Sequence, residues 1–336
     1  MKTFLLSLFL AFWMVMGGAL FFQPVMYITF LITLVMLSIL ACHLYKRVKP
    51  VLLLPYVFLL GAAGISAMVN PEIAPYTIGA LAVDLFGLCA VIIASQVGAD
   101  QLKESLYWAG WIWLVAYPIP WIVGYVDNRN LLAFYPMIIL GIFLAKKLKW
   151  LYYIPPILAG MMLAGRSGLI GLGVVLLVHY WRMMTKRQLI LVSVVVISLA
   201  AILFIARPAT AMYRPGYWYD ALAAANPLYG LGPGGISARQ VIDQPNDPGR
   251  YQPHAHNAIV QLLAETGIIG FIALVAGCWW IWQNKNCLHG WQIAVLAGVL
   301  GFCLFDYPLY YPGPLFIACA VGGTLCLQDQ PTTQPA

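Results

Sequence analysis

Charged side chains are sparse in this chain. Asp, Glu, Lys and Arg together make up 9% of its 336 residues, where a soluble domain carries about 25%. Hydrophobic residues reach 62% and the mean hydropathy is +0.86, which excludes an ordinary soluble protein and predicts an all-α polytopic membrane protein. Metal-ligand spacings are also missing. Neither Cys-x-x-Cys nor His-Glu-x-x-His occurs, so no metal and no cofactor is expected. The seven cysteines all lie outside the long polar segment 207–255, which leaves no disulfide framework there, and they read as small buried hydrophobes. There is no internal repeat and no dense basic patch with interleaved aromatics, so the formal net charge of +7 does not point to nucleic acid.

Apolar runs near the ~20 residues that cross a bilayer fall at about 3–22, 24–42, 51–68, 76–98, 106–124, 131–145, 188–206 and 267–283. The stretch 150–181 reads as two short spans broken at Gly165-Arg166-Ser167, and 291–305 and 313–328 bring the expectation to about twelve transmembrane helices in one integral-membrane domain, 1–336. Lys2 ahead of an apolar run resembles a signal peptide, but no small-residue cleavage site precedes a soluble domain. It is expected to remain as a first helix.

Lysine and arginine placement orients the spans. Alternating the loops puts Lys2, Lys46, Arg47, Lys49, Lys103, Lys146, Lys147, Lys149, Arg182, Lys186, Arg187 and Lys285 on the cytoplasmic side, every lysine among them. The other basic residues, Arg129, Arg166, Arg207, Arg214, Arg239 and Arg250, then lie outside, and both termini are cytoplasmic.

The segment 207–255 is too long for a plain connector and is rich in Pro, Gly, Asn and Asp, which marks it as a functional loop. Tyr213, Tyr217, Trp218, Tyr219 and Tyr229 give it apolar surface to pack, and 256–266 reads as a short interfacial helix with Ile259, Leu262 and Leu263 at helical spacing. Gly230-Leu231-Gly232-Pro233-Gly234-Gly235 satisfies GxGxxG literally, yet no strand precedes it. A plain turn or a backbone nest is the expectation.

Several residues here can carry chemistry. Arg166, between two half-length apolar stretches, is either a snorkelling side chain or an anion site facing an external cavity. Arg214 is either paired with Asp220 or, with Arg166, a holder of diphosphate. His254 and His256 are the external histidine pair, neighbours in an extended segment, and His256 opens the short helix where it can accept a proton from a hydroxyl near neutral pH. Asp127-Asn128-Arg129-Asn130 and Asp306-Tyr307-Pro308-Leu309-Tyr310-Tyr311 are outward loops able to rim the same cavity.

These residues raise a resemblance. Arg214 and Gly230 enclose fifteen residues, and His256 and Gly267 enclose ten. The R-x15-G and H-x10-G patterns, with Ala164-Gly165-Arg166-Ser167-Gly168 upstream, are similar to the bacterial O-antigen ligase and O-antigen polymerase superfamily of integral-membrane glycosyltransferases. The resemblance implies a GT-C-like helical fold in the bacterial inner membrane with a periplasmic site. It implies an enzyme that moves a glycan from an undecaprenyl (polyprenyl) diphosphate carrier to an acceptor hydroxyl, inverting and metal-independent, the acceptor being a glycan or a lipid A-core. In that scheme Arg166 and Arg214 hold the leaving diphosphate and His256 is the general base, with Tyr217, Trp218, Gly230, His254, Asn257, Arg129 and Asp306 as substrate-binding residues. The chain and its external loop are compact for the family, and ligase, polymerase and protein O-glycosylation all stay open. A secondary transporter or flippase is the rival class; the lack of an inverted repeat and the concentration of polar residues on one external segment oppose it.

Overall fold

The computed structural model describes residues 2–16, 24–44, 60–61, 64–65, 68–118, 129–163, 166–181, 183–188, 190–194, 198, 208–243, 254–284 and 288–324. Most of the spans expected at 51–68 and 188–206 lies outside the described residues, as do Arg207, Arg250, Asp127 and Asn128 and the side chain of Arg129.

Thirteen α-helices are described: α1 (Lys2–Met16), α2 (Pro24–Leu44), α3 (Ala74–Val97), α4 (Ala99–Ala116), α5 (Arg129–Leu132), α6 (Phe134–Ala145), α7 (Ile154–Leu163), α8 (Arg166–Tyr180), α9 (Pro208–Ala224), α10 (Gly235–Asp243), α11 (Ala258–Gln283), α12 (Gly290–Cys303) and α13 (Pro312–Gly323). The described residues contain no strand. Tyr76–Val97 and Ala258–Gln283 are long and apolar enough to cross a membrane, and seven further helices are apolar but shorter.

At the centre lies α6, whose residues Phe134 to Leu144 are all buried. A helix that is apolar all round has no solvent face and must be enclosed by others; α4, α7, α8 and α12 pack around it. On its flank Trp13 of α1, Phe30 of α2, Phe86 of α3 and Phe316 of α13 join in one aromatic cluster with ring centroids 4.8–6.2 Å apart. Small residues let α8 and α12 meet closely: a Cβ added at Gly298 would stand 2.5 Å from Val175 of α8, the kind of backbone approach that binds helices where hydrocarbon gives no hydrophobic drive.

The periphery is apolar as well. Ile28, Ile32, Val35, Met36 and Ile39 along α2, and Ile268, Ile272, Val275, Trp279 and Trp282 along α11, are exposed. Both sets follow a three- to four-residue repeat, with Val35 and Met36 sharing one step, so each helix turns one continuous apolar stripe outward. Stripes of this length on an isolated chain call for a cover, and together with the apolar helices they fit a membrane protein.

Candidate active site

Three segments meet on one carboxylate. The first is the end of α12: its last turn continues through Leu304 and Phe305, and the Asp306 N–H donates to Phe302 O at 3.0 Å. Asp306 is thereby fixed at the helix exit and is 4% exposed.

The second is the lead into α11. Asn257 caps that helix, its Oδ1 accepting from the N–H groups of Ile259 at 2.9 Å and Val260 at 3.1 Å, which satisfies two of the donors that a helix start leaves open. Its Nδ2 donates to Leu304 O at 2.9 Å, so the same residue that starts the helix ties it to the Asp306 segment. Helix α11 begins at Ala258 rather than at His256, because His256 has φ +53°. That left-handed turn is uncommon for a residue other than glycine and marks a constrained position. It leaves the His254 and His256 rings 4.4 Å apart at 60°, and both face Asp306. His256 Nδ1 lies 3.2 Å and His254 Nε2 3.4 Å from the same Oδ1, which also accepts the Tyr307 N–H at 2.8 Å.

An ionised carboxylate only accepts, so both imidazoles present N–H to it. Burial alone would push the Asp306 acid toward its neutral form, but the hydrogen bonds from His254 and His256 outweigh it and hold the carboxyl well below the usual range. Burial lowers His254 below its ordinary value, with the Asp306 hydrogen bond opposing. The result is a charged carboxylate between two rings, with His254 buried and His256 reaching the surface at 20% side-chain exposure.

The third segment is α9. Arg214 Nη1 donates to Phe305 O at 2.7 Å, so the guanidinium is anchored one residue before Asp306, and not on Asp220, which is exposed. Burial lowers the Arg214 pKa and Asp306 counters it; one of its five N–H donors is engaged by Phe305. Trp218, one turn on, donates its indole N–H to Ala255 O at 2.8 Å and packs with Ala221, Leu231, Ile236, Ala255 and Ala264. From the other side Gln261 Oε1 accepts the Ala255 N–H at 2.7 Å. The histidine segment is therefore clamped at Ala255 by two side chains.

The glycine-rich turn explains both motif glycines. Leu231 N–H donates to Ala264 O and Gly232 N–H to Glu265 O, each at 2.8 Å, and Ile268 N–H to Pro227 O at 2.9 Å. The turn and the α11 backbone lie flat against each other. A Cβ at Gly230 would stand 2.3 Å from the Glu265 carbonyl carbon, and one at Gly267 2.4 Å from that of Leu228. Gly267 also has φ +61° and ψ −160° and kinks α11, a conformation that is essentially glycine's alone. The nest anticipated in the GxGxxG stretch exists, and its occupant is internal: the Gly234 N–H donates to Glu265 Oε1 at 2.9 Å.

The site thus gathers Arg214, Trp218, His254, His256, Asn257 and Asp306, with Gly230 serving the packing beneath them. Tyr217 sits half-buried beside Trp218 on α9. Arg166 opens α8, partly buried; the charges acting on His254 are Asp306, His256 and Arg214. Glu265 and Gln261 escaped the sequence reading, although both are polar residues on an otherwise apolar helix face and that was their signal. His254, His256 and Asp306 are also of ligand type, with one donor atom each within 4.8 Å of the others.

No curated protein matches the chain. The family model described as O-antigen ligase, Wzy_C, matches residues 151–275, the stretch that contains Arg166, both motif glycines, Arg214 and the two histidines but not Asp306. From Leu151 to Val275, then, this chain is similar to the O-antigen ligase family Wzy_C.

Proposed function

We propose that the chain is a glycosyltransferase that moves a glycan from a polyprenyl (undecaprenyl) diphosphate carrier to an acceptor hydroxyl at the periplasmic face of the bacterial inner membrane. The match of residues 151–275 to the O-antigen ligase family model supports glycan transfer in surface-polysaccharide synthesis, and the external placement rests on the Lys/Arg asymmetry of the loops. About twelve spans in a GT-C-like arrangement, both termini cytoplasmic, is the accompanying topology.

The observation that carries the mechanism is His256 Nδ1 on the Asp306 carboxylate. With its proton held at Nδ1 the neutral ring has Nε2 as its acceptor, which is the tautomer a general base needs, and the carboxylate stabilises the imidazolium that forms. His256 takes the proton of the acceptor hydroxyl as that oxygen attacks the anomeric carbon. The bond from that carbon to the diphosphate oxygen breaks on the opposite face, inverting the centre. The leaving group departs as an anion, so fixed donors that strengthen as charge develops lower the barrier. Arg214 supplies such donors beside Asp306, and Arg166 is assigned the same task. Tyr217, Trp218, His254, Asn257 and Arg129 are assigned to the walls that receive donor and acceptor.

The test is His256→Ala in purified protein with a lipid-linked donor. Donor binding should persist while turnover falls about 10²–10⁴-fold, and the wild type should keep its turnover in EDTA. Wild-type turnover across pH in His256→Ala refutes the assignment of the base. A chain that moves lipid-linked substrate across vesicles without releasing diphosphate is a flippase instead.

A further inference from the structure

The three side chains at the heart of the site have the spacing of a metal centre. In a tetrahedral zinc site with bonds of about 2.0–2.1 Å, neighbouring ligand atoms stand roughly 3.4 Å apart. Asp306 Oδ1 stands 3.4 Å from His254 Nε2 and 3.2 Å from His256 Nδ1, and the three donor atoms all lie within 4.8 Å. Two of the three ligand edges are therefore at tetrahedral length with only protons between them. A second observation concerns the carboxylate itself. Asp306 Oδ2 is buried without a hydrogen-bond partner among the described residues, so this group, 4% exposed, retains an oxygen that neither histidine uses.

The donor set selects the cation. Two imidazoles and one carboxylate suit Zn²⁺ and its borderline neighbours, whereas Mg²⁺ and Ca²⁺ seek oxygen ligands in greater number. Three protein ligands leave a fourth position open, and the 20% exposure of the His256 side chain gives a cation a way in from the surface.

We propose that His254, His256 and Asp306 capture Zn²⁺ or a chemically similar divalent cation, and that capture reversibly silences transfer. The second half rests on His256 being the base. A metal on Nδ1 occupies the lone pair that must be free of a proton there, so the neutral ring carries its proton on Nε2. The nitrogen that should accept a proton from the acceptor hydroxyl then donates instead. No bond to carbon is made or broken: the metal replaces the two N–H···O contacts, and each ring moves its proton through solvent, His256 from Nδ1 to Nε2 and His254 from Nε2 to Nδ1. The site is a brake here and not a cofactor site, since Asp306 Oδ1 already takes both imidazoles and holds His256 in the productive tautomer.

The experiment uses the full chain in nanodiscs, stripped with EDTA and titrated with Co²⁺ as a coloured probe. One equivalent should give the intense visible bands of four-coordinate Co²⁺, be displaced by Zn²⁺, and be absent in His254→Ala and Asp306→Asn. Because either variant can misfold, the melting temperature of each without metal is the control, and the rise that Zn²⁺ gives the wild type should vanish in both. At Zn²⁺ about 100 times its Kd, transfer should fall roughly 100-fold by occupancy and recover with EDTA. Absence of Co²⁺ and Zn²⁺ binding overturns the metal site and leaves the base untouched. Binding without inhibition overturns the brake, and the turnover of His256→Ala without metal then tells whether the base assignment falls with it. Activation of stripped protein by Zn²⁺ overturns both.

Discussion

Replacing Asp306 by Asn separates what this residue does for the reaction from what it does for the fold. The side chains are nearly isosteric, so the exit of α12 keeps its shape, and the amide oxygen can still accept the Tyr307 N–H that Oδ1 takes at 2.8 Å. What disappears is a charged acceptor for two imidazoles at 3.2 and 3.4 Å. An amide that turns over, giving up the Tyr307 bond, presents NH₂ to His256 Nδ1 and places the ring proton on Nε2, the unproductive tautomer. A charge-assisted hydrogen bond is worth about 1.5–3 kcal/mol, and at 1.36 kcal/mol per decade its loss alone lowers the productive fraction about 10–100-fold. Losing the counter-charge of the imidazolium adds to this, for a total of about 10²–10⁴ in turnover. Stability should move little, because removing a buried charge offsets the lost bonds; a change near 1 kcal/mol corresponds to about 2–4 °C in melting temperature. The assay is turnover of lipid-linked donor in nanodiscs, with donor binding measured separately and expected unchanged while Arg214 is present. The double variant with His256→Ala should be no slower than His256→Ala alone, since Asp306 acts through that ring. Wild-type turnover in Asp306→Asn, or additive losses in the double variant, refutes the coupling.

Arg214→Lys should damage turnover nearly as much as Arg214→Ala, by about tenfold or more, because an ammonium cannot hold the Phe305 carbonyl and fork onto a diphosphate at once; kinetics of both variants on one donor decide it. His254 makes stability depend on pH. Burial lowers its folded-state pKa, so below about 6.5 the unfolded chain binds a proton that the folded chain refuses, and stability, complete above that pH, falls as pH drops toward the folded value. Asp306, held low, contributes its own loss only below about 3.9, so a melting series from pH 7.5 to 5 reports His254, and an equal slope in His254→Gln contradicts the assignment. Gly267→Ala should cost several kcal/mol, on the order of 3 or more, from a Cβ forced against the Leu228 backbone in a conformation closed to L-residues; recovery of well-folded protein at wild-type yield and melting temperature is the contrary result.

Much of this arrangement is legible in the sequence because its carriers are unusual residue types in an apolar background. An arginine or histidine beside membrane helices announces itself, so Arg214, His254 and His256 stand out before any geometry exists. Asp306 is different. It lies fifty residues after His256, beyond the whole of α11 and α12, and only the tertiary fold brings the start of one to the end of the other, where Asn257 Nδ2 donates to Leu304 O. A rim residue in the sequence becomes the centre of the site in space. Glu265 lies within the short helix expected at 256–266, yet it fills a nest formed by a turn 31 residues earlier, and no local pattern encodes that pairing. Arg214 with Asp220 was a reasonable local pair on one helix; the Phe305 carbonyl, reachable only through the tertiary fold, takes the guanidinium instead.

The interlocked backbones of the glycine turn and α11 turn a sequence spacing into a gauge. From Ala258 to Gly267 the helix climbs about 13.5 Å and winds through roughly two and a half turns. Its two ends are held by different neighbours: Asn257 on Leu304 at one, Gly267 on Leu228 at the other. One residue more or less between them would swing one end by about 100° relative to the other, and either the kink would leave the turn or the histidines would leave Asp306. A protein engineer must therefore treat the ten residues between His256 and Gly267 as machined to a fixed count.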